Sequence, residues 1–352
     1  MLNQALEKLR VRPATELLGV DIGTTSIKVC LLRKSRDGFS LQKFAKRSYE
    51  KDLLHDGTIA DSAFVASELK SLLLDQGIKV KAAATALSSY TVITKRVTMP
   101  LLDEETLNKS IGLEVEGVIP YPLRDIYYNY NVMGAGEDKE ALMSLLIVAA
   151  KKEIVDAYID VFRRAGLNLL ILDVDIFAMT NLIGHVYGPQ NFTVLAADIG
   201  ASVTNLAILK NESIEFTREI LIGGKYLTSE IAKKYNMSQQ EAEEKKVSQD
   251  ADISDLVDEF VGNVSSEMNK TVNFYMATKP RETVGRIYLS GGSSRIPGLK
   301  ERIEGETGVE VVLLDASLWL KQNGKSPQLG QDDQAFAPVA LYLSSRVSDL
   351  ES

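Results

Sequence analysis

The chain has 352 residues, a length that ~150 residues per domain reads as about two domains or one duplicated fold. Its 48 acidic and 40 basic residues leave a net charge of -8, without the basic footprint of a nucleic-acid binder or a polybasic cluster for anionic lipid. At 45% apolar and 25% charged residues bulk disorder is excluded, and one cysteine (Cys30) with two histidines (His55, His185) excludes a disulfide framework and a Cys- or His-rich metal site.

Residues 1–16 place Leu2, Ala5, Leu6 and Leu9 at helical spacing and read as a flexible leader, with a short amphipathic anchor as the other reading. Leu17 to Asp21 reads as a buried strand and Ile27 to Leu32 as its return. From Val80 to Val174 the pattern changes. A strand-like run, Ala82 to Pro100, leads into an amphipathic helix from Leu102 to Val118, broken at Pro120 and Pro122. Tyr127 to Val132 and Leu142 to Ala149 read as a hairpin, Lys152 to Ala165 as a helix capped by Gly166, and Leu169 to Val174 as a strand. This βαββαβ order predicts a small α+β subdomain over 80–174, inserted into the first half. The longest apolar run, Ala141 to Ala150, is half the ~20 residues a membrane-spanning helix needs. No secretory segment opens the chain, so the expectation is a cytoplasmic protein without its own transmembrane segment.

Further on, Phe216 to Ile220 reads as a strand and Tyr226 to Tyr235 as a helix. Ser238 with Glu241 forms a capping box that opens a helix to Val247. A long helix from Ile253 to Thr278 follows, then a buried strand, Ile287 to Ser290, running into Gly291-Gly292-Ser293. A final apolar helix covers Ala335 to Leu343.

One segment occurs twice. Asp21-Ile22-Gly23-Thr24-Thr25 with the return strand from Ile27 is matched by Asp198-Ile199-Gly200-Ala201-Ser202 with the return from Thr204. Each copy sets a carboxylate at a strand end, before a turn whose backbone N–H groups can converge on an anion. A carboxylate beside a phosphate cradle needs a cation between the two, so Asp21 and Asp198 imply Mg²⁺. Thr24, Thr25 and Ser202 add hydroxyls, and Lys28 adds a positive charge. No G-x-x-x-x-G-K-[ST] loop is present, and no G-x-G-x-x-G opens the first unit, which excludes a P-loop and argues against a dinucleotide fold.

In this order the motifs resemble the superfamily of actin, the heat-shock chaperone ATPases and the sugar kinases. Glu114 to Leu123, Ala149 to Lys152, Asp173 to Ala178 and Gly291 to Pro297 are similar to the PilM family of type IV pilus assembly proteins in particular. The resemblance implies an α/β, two-lobed, duplicated actin-like ATPase fold with a ferredoxin-like insert. Lobe I would take 17–79 and 175–196, the insert 80–174, and lobe II 197–352, with the last helix, 335–343, returning to lobe I.

Carried over by position, the resemblance implies ATP with Mg²⁺ held through water by Asp21 and Asp198. Gly23, Thr24, Thr25, Lys28, Gly200, Ala201 and Ser202 would line the phosphates. Glu243 would lie near the ribose, Lys246 near the adenine, and Gly291, Gly292 and Ser293 beside the base. Asp175 stands where relatives carry a longer carboxylate that orients the attacking water, so weak or absent hydrolysis is expected. The partner implied is the N-terminal cytoplasmic tail of a PilN-like inner-membrane protein, docked near Ile111, Val115 and Val118, which would hold the chain at the inner membrane. Assembly ATPases and self-association complete the implied partners. A sugar or acid kinase and an FtsA-like filament protein are the alternatives.

Overall fold

A computed structural model describes residues 16–35, 38–135, 142–321, 329–330 and 333–350. The leader expected over residues 1–16 lies outside the described residues except for Glu16. Strands β1 (Leu18–Ile22), β2 (Ser26–Ser35) and β3 (Gly38–Ser48) form an antiparallel meander, followed by the two-residue strands β4 (Leu54–His55) and β5 (Thr58–Ile59) and helix α1 (Ser62–Asp75). Next come β6 (Ala82–Leu87), β7 (Val92–Pro100), α2 (Glu104–Val118), β8 (Ile126–Ala135), β9 (Leu142–Lys151), α3 (Lys152–Ala165), β10 (Asn168–Val174) and α4 (Asp175–Tyr187).

The second half begins with the meander β11 (Thr193–Ile199), β12 (Thr204–Lys210) and β13 (Ser213–Ile220). Helices α5 (Gly224–Tyr235), α6 (Gln239–Val247) and α7 (Ser254–Thr278) follow. The chain then runs through β14 (Val284–Ser290), α8 (Leu299–Thr307), β15 (Glu310–Leu313), α9 (Ser317–Lys321) and α10 (Pro338–Ser345).

Duplication shows in the sheets. The first has the order β10-β6-β1-β2-β3 and the second β13-β12-β11-β14-β15; in each, an antiparallel meander is extended by two parallel strands. The parallel strands are apolar runs, as burial of both faces requires; β6 reads AAATAL and is buried from its second residue on.

The insert is smaller than expected. β6 and β10 pair in parallel within the first sheet, and α3 packs against α1 in the core below it. Only β7, α2, β8 and β9 stand apart, as a sheet of order β7-β9-β8. The expected boundary 80–174 contracts to about the span from β7 to β9, and the βαββαβ unit to a βαββ unit. The run Ala82 to Pro100 misled because strand-forming residues resume directly after a short polar break at Ser88-Ser89. A 3-10 turn at Ser89–Thr91 sends its two halves to different sheets.

Ile111 and Val115 are 3% and 0% exposed, packed with Leu107 in the insert's own core, and Val118 is half-buried against it. Their expected place in a partner groove is corrected: an amphipathic helix on a three-stranded sheet must bury that face.

Helix α10 does return to the first lobe. A Cβ on Gly19 would lie 1.9 Å from the Ala340 carbonyl oxygen, so the helix rests on the bare backbone of β1. The Ser344 hydroxyl donates to the Leu17 carbonyl at 2.7 Å and accepts from the Leu32 amide at 2.9 Å. We expect Gly19→Ala to destabilise the protein by about 2 kcal/mol or more in urea unfolding, as overpacking against backbone does. Gly262→Ala, in α7 with open space at the Cβ position, should raise stability by about 0.5–1 kcal/mol.

Candidate functional site

Both duplicated turns lie at strand ends and face each other from the two sheets. In each the first glycine amide closes the turn: Gly23 N–H donates to the Ser26 carbonyl at 2.9 Å, and Gly200 N–H to Val203 at 3.0 Å. The turn carbonyls are also taken. Leu53 and Tyr49 amides donate to Thr24 and Thr25, both at 2.8 Å. On the other side Gly224 and Lys225 amides donate to Gly200 and Ala201, at 3.0 and 2.8 Å. Among the described residues, the amides of Thr24, Thr25, Ala201 and Ser202 donate to no backbone carbonyl. Two loops with occupied carbonyls and spare amides make a cradle for an oligoanion.

Between the loops lie three carboxylates. Asp21 pairs with Lys28 across β1 and β2, Nζ to Oδ2 at 2.9 Å, and the ammonium lies over Gly23. Asp198 holds the matching place on β11, opposite Asn205 on β12. Burial, with the charge of Asp21 adding and Lys28 opposing, pushes the Asp198 carboxyl up to about 6. Asp175 opens α4 and accepts from the Ser89 amide at 2.9 Å, the Ile176 amide at 2.6 Å and Asn205 Nδ2 at 3.3 Å. Burial first, and then the charge of Asp198, still push Asp175 up to about 7 against those amides.

Asn205 Oδ1 and the Tyr158 hydroxyl are buried there without a partner, a place for ordered water. Burial, then the charges of Asp175 and Asp21, push that phenol up as well. Asp198 feels the charge of Asp21 on one side and of Asp175 on the other, and Lys28, paired with Asp21, leaves an excess of negative charge. A divalent ion fits that excess, and among the described residues no three His, Cys, Asp or Glu side chains close on one point. The fit is therefore to a hydrated Mg²⁺ with few direct protein ligands.

The remaining expected residues gather beside the second loop. Gly291 has φ +87°, and a Cβ there would meet the Ile199 carbonyl oxygen at 2.4 Å and Asp198 Oδ1 at 2.5 Å, so only glycine fits. Ser293 Oγ donates to the Gly200 carbonyl at 3.1 Å. Glu243 accepts from Lys246 Nζ and Thr228 Oγ1, both at 2.6 Å, and Lys246 also reaches Thr228 Oγ1 at 2.9 Å and the Gly224 carbonyl at 3.3 Å. Lys246 is tucked against the loop with its side chain only 14% exposed, unlike a lysine on a solvated helix face.

Sequence reasoning missed several neighbours. Phe336 covers Gly292, with Lys46 Nζ 3.4 Å above the ring; Asp52 and Lys225 form an ion pair between the lobes; Ser89 and Asn205 hold Asp175. Only Gly223-Gly224 ahead of a helix offered a signal.

A separate cavity of about 260 Å³ opens between the β4–β5 hairpin and the insert, lined by Thr58, Tyr90, Ile93, Tyr121, Lys151 and Ile154 among others. Another, of about 250 Å³, lies at Gly184, His185 and Glu212, around residues other than the three carboxylates. Among the described residues no helix is long and apolar enough to cross a membrane.

Comparison with known proteins agrees with this architecture. The sequence family described as type IV pilus assembly protein PilM matches residues 19–346. The structure is similar to the PilM-PilN type IV pilus biogenesis complex, with a TM-score of 0.84 and 26% identity over 95% of this chain and 99% of that one. MreB 5 of Spiroplasma citri bound to AMPPNP shares the actin-like fold, with a TM-score of 0.51 and 14% identity over 88% of this chain and 95% of that one. Cell division protein FtsA of Streptococcus pneumoniae strain D39 is 22% identical, across 84% of this chain and 74% of its own length.

Asp175 binds its proton more tightly folded than unfolded, so its contribution to stability falls as pH rises from about 4 to 7. Asp175→Asn should therefore raise the melting temperature by a few degrees at pH 8 and much less at pH 5. An equal shift at both pH values in a thermal scan would remove burial of the charge as the cause.

Proposed function

This chain belongs to the PilM family of type IV pilus assembly proteins, and we propose that it works there as an ATP-binding scaffold, not as a turnover enzyme. The observation that carries the nucleotide reading is the pair of loops with spare amides flanking Asp21 and Asp198. In this reading the amides of Thr24, Thr25, Ala201 and Ser202 hold the phosphates, and Lys28 supplies charge. Asp21 and Asp198 would hold Mg²⁺ through water. Gly291, Gly292 and Ser293 border the base, with Glu243 and Lys246 toward the nucleoside. The bound metal supplies charge neutralisation between carboxylate and phosphate; the protein supplies position.

Weak hydrolysis follows from Asp175. A residue that orients an attacking water needs free acceptor sites and full ionisation. Asp175 spends Oδ1 on two amides and Oδ2 on Asn205, and burial pushes its carboxyl up to about 7.

The partner reading places the N-terminal cytoplasmic tail of a PilN-like single-pass protein in the cavity between the β4–β5 hairpin and the insert. That cavity offers the rings of Tyr90 and Tyr121, the apolar Ile93 and Ile154, and Lys151 at its edge. A short peptide docks in such a place through a few side-chain anchors. Through this tail the chain would sit peripherally at the inner membrane.

Calorimetry should show ATP binding that weakens at least tenfold when Mg²⁺ is chelated, and likewise in Asp21→Ala or Asp198→Ala, while Glu212→Ala changes little. Equal affinity with and without the metal would reject the paired-loop assignment. Turnover should stay below about 1 s⁻¹, the low end of typical enzyme rates.

For the partner, a synthetic tail peptide should bind saturably, and Tyr90→Ala with Tyr121→Ala should weaken it about tenfold or more. Unchanged affinity in that double variant would move the site elsewhere.

A further inference from the structure

Three lysines stand around the paired loops. Lys28 is bound to Asp21 of its own hairpin, and Lys246 to Glu243 of its own helix. Lys225 differs, because its ammonium crosses to the other lobe and reaches both oxygens of Asp52, at 2.7 and 2.6 Å.

Where the two residues are carried matters more than the pair itself. Asp52 lies in the segment between β3 and β4 whose Tyr49 and Leu53 amides occupy the carbonyls of Thr25 and Thr24. Lys225 lies in the segment whose Gly224 amide, with its own, occupies the carbonyls of Gly200 and Ala201. The second segment is also fixed by contact: a Cβ on Gly223 would lie 2.5 Å from the Ala201 carbonyl carbon. Each member of the ion pair is thus fastened to the carbonyl side of one anion loop. The pair completes a closed ring that runs from first loop to Asp52, across to Lys225, and back through the second loop.

We infer that the Asp52–Lys225 pair is a clasp across the phosphate end of the cleft, which must open before a bound nucleotide can leave. The inference rests on the nucleotide reading above and adds a device that controls exchange. For the lobes to part at this end, the two loops must separate, and the ion pair is stretched directly by that motion. Both side chains are more than a third exposed, at 39% and 37%. An exposed pair is weak and screened by salt, which suits a gate that opens repeatedly over a permanent lock.

The test uses the full chain and a fluorescent ATP analogue displaced by excess ATP in stopped flow. Asp52→Asn and Lys225→Met should each speed release about two- to fivefold, the range that loss of one exposed pair permits. The double variant should release no faster than the faster single one. The exchanged pair, Asp52→Lys with Lys225→Asp, should return the rate to within about twofold of the wild type. Raising salt should speed release from the wild type and leave the single variants less affected.

If Lys225→Met speeds release while Asp52→Asn does not, Lys225 grips phosphate itself and the clasp is overturned. Additive effects in the double variant would overturn it as well. A second measurement works without nucleotide: the amides of Tyr49, Leu53, Gly224 and Lys225 should exchange hydrogen faster in Asp52→Asn than in the wild type. Should the wild type fail to bind the analogue, the nucleotide reading falls. Exchange then decides the clasp alone, and equal exchange rates overturn it.

Discussion

Like charges set close together at the junction of two lobes are the constraint around which this molecule is built. Asp21 comes from the first sheet, Asp198 from the second and Asp175 from the helix that joins them, with Lys28 the one cation paired among them. In a recessed site burial and such repulsion together cost stability, and the carboxyls of Asp175 and Asp198 respond by holding their protons above the usual range. A fold retains this arrangement when something bound there repays it. In the proposed reading a metal with a polyphosphate would do so, with the loops' spare amides available to the anion and the carboxylates to the cation.

The bodies around the junction are joined by a few polar contacts of differing depth. Arg96 on β7 and Lys279 after α7 both bind Glu215 on β13, whose side chain is 13% exposed. Burial works against that carboxylate, yet the two cations hold it below the usual range. The Arg96 guanidinium also donates to the Ile214 carbonyl at 2.8 Å, so the insert is braced on the second lobe. Arg346 after α10 binds Asp173 at the end of β10, and Tyr187 of α4 stacks on Tyr288 of β14 with centroids 4.6 Å apart. In these ion pairs the carboxylate is recessed, at 13% exposure for Glu215 and 11% for Asp173, whereas Asp52 opposite Lys225 is 37% exposed.

Much of this was legible in the amino-acid sequence, and the reason is local. Asp-Ile-Gly followed by a small hydroxyl specifies a strand end, a turn and a return within about ten residues. Two copies therefore announced both sheets and both loops. The Ser238–Glu241 capping box is present as read, with both reciprocal hydrogen bonds. Long-range pairing was not legible. Ala82 to Pro100 carries strand-forming residues on both sides of Ser88-Ser89, and nothing in their alternation says that β6 joins β1 while β7 joins β9. The same limit hid the face of α2: Ile111 and Val115 have the spacing of a docking stripe and of a core stripe alike. Asp52 and Lys225 were invisible for another reason. Each is an ordinary charged residue, given meaning only by the loop its neighbours are tied to.

The two hairpins also differ where they match most closely. Asp21 faces Lys28 across its pair of strands, while Asp198, in the same register, faces Asn205. The first hairpin therefore pairs its own carboxylate, and the second leaves Asp198 without a lysine across the strands and spends Asn205 elsewhere, on Asp175. Asymmetry of this kind assigns work. In the proposed reading Lys28 would share its charge with a phosphate. Asn205 instead ties the second sheet to the first turn of α4 through Asp175. One difference in a duplicated hairpin thus makes the two halves of the cradle unlike: one carboxylate is paired within its own hairpin, and the other hairpin spends its polar side chain on the helix between the lobes.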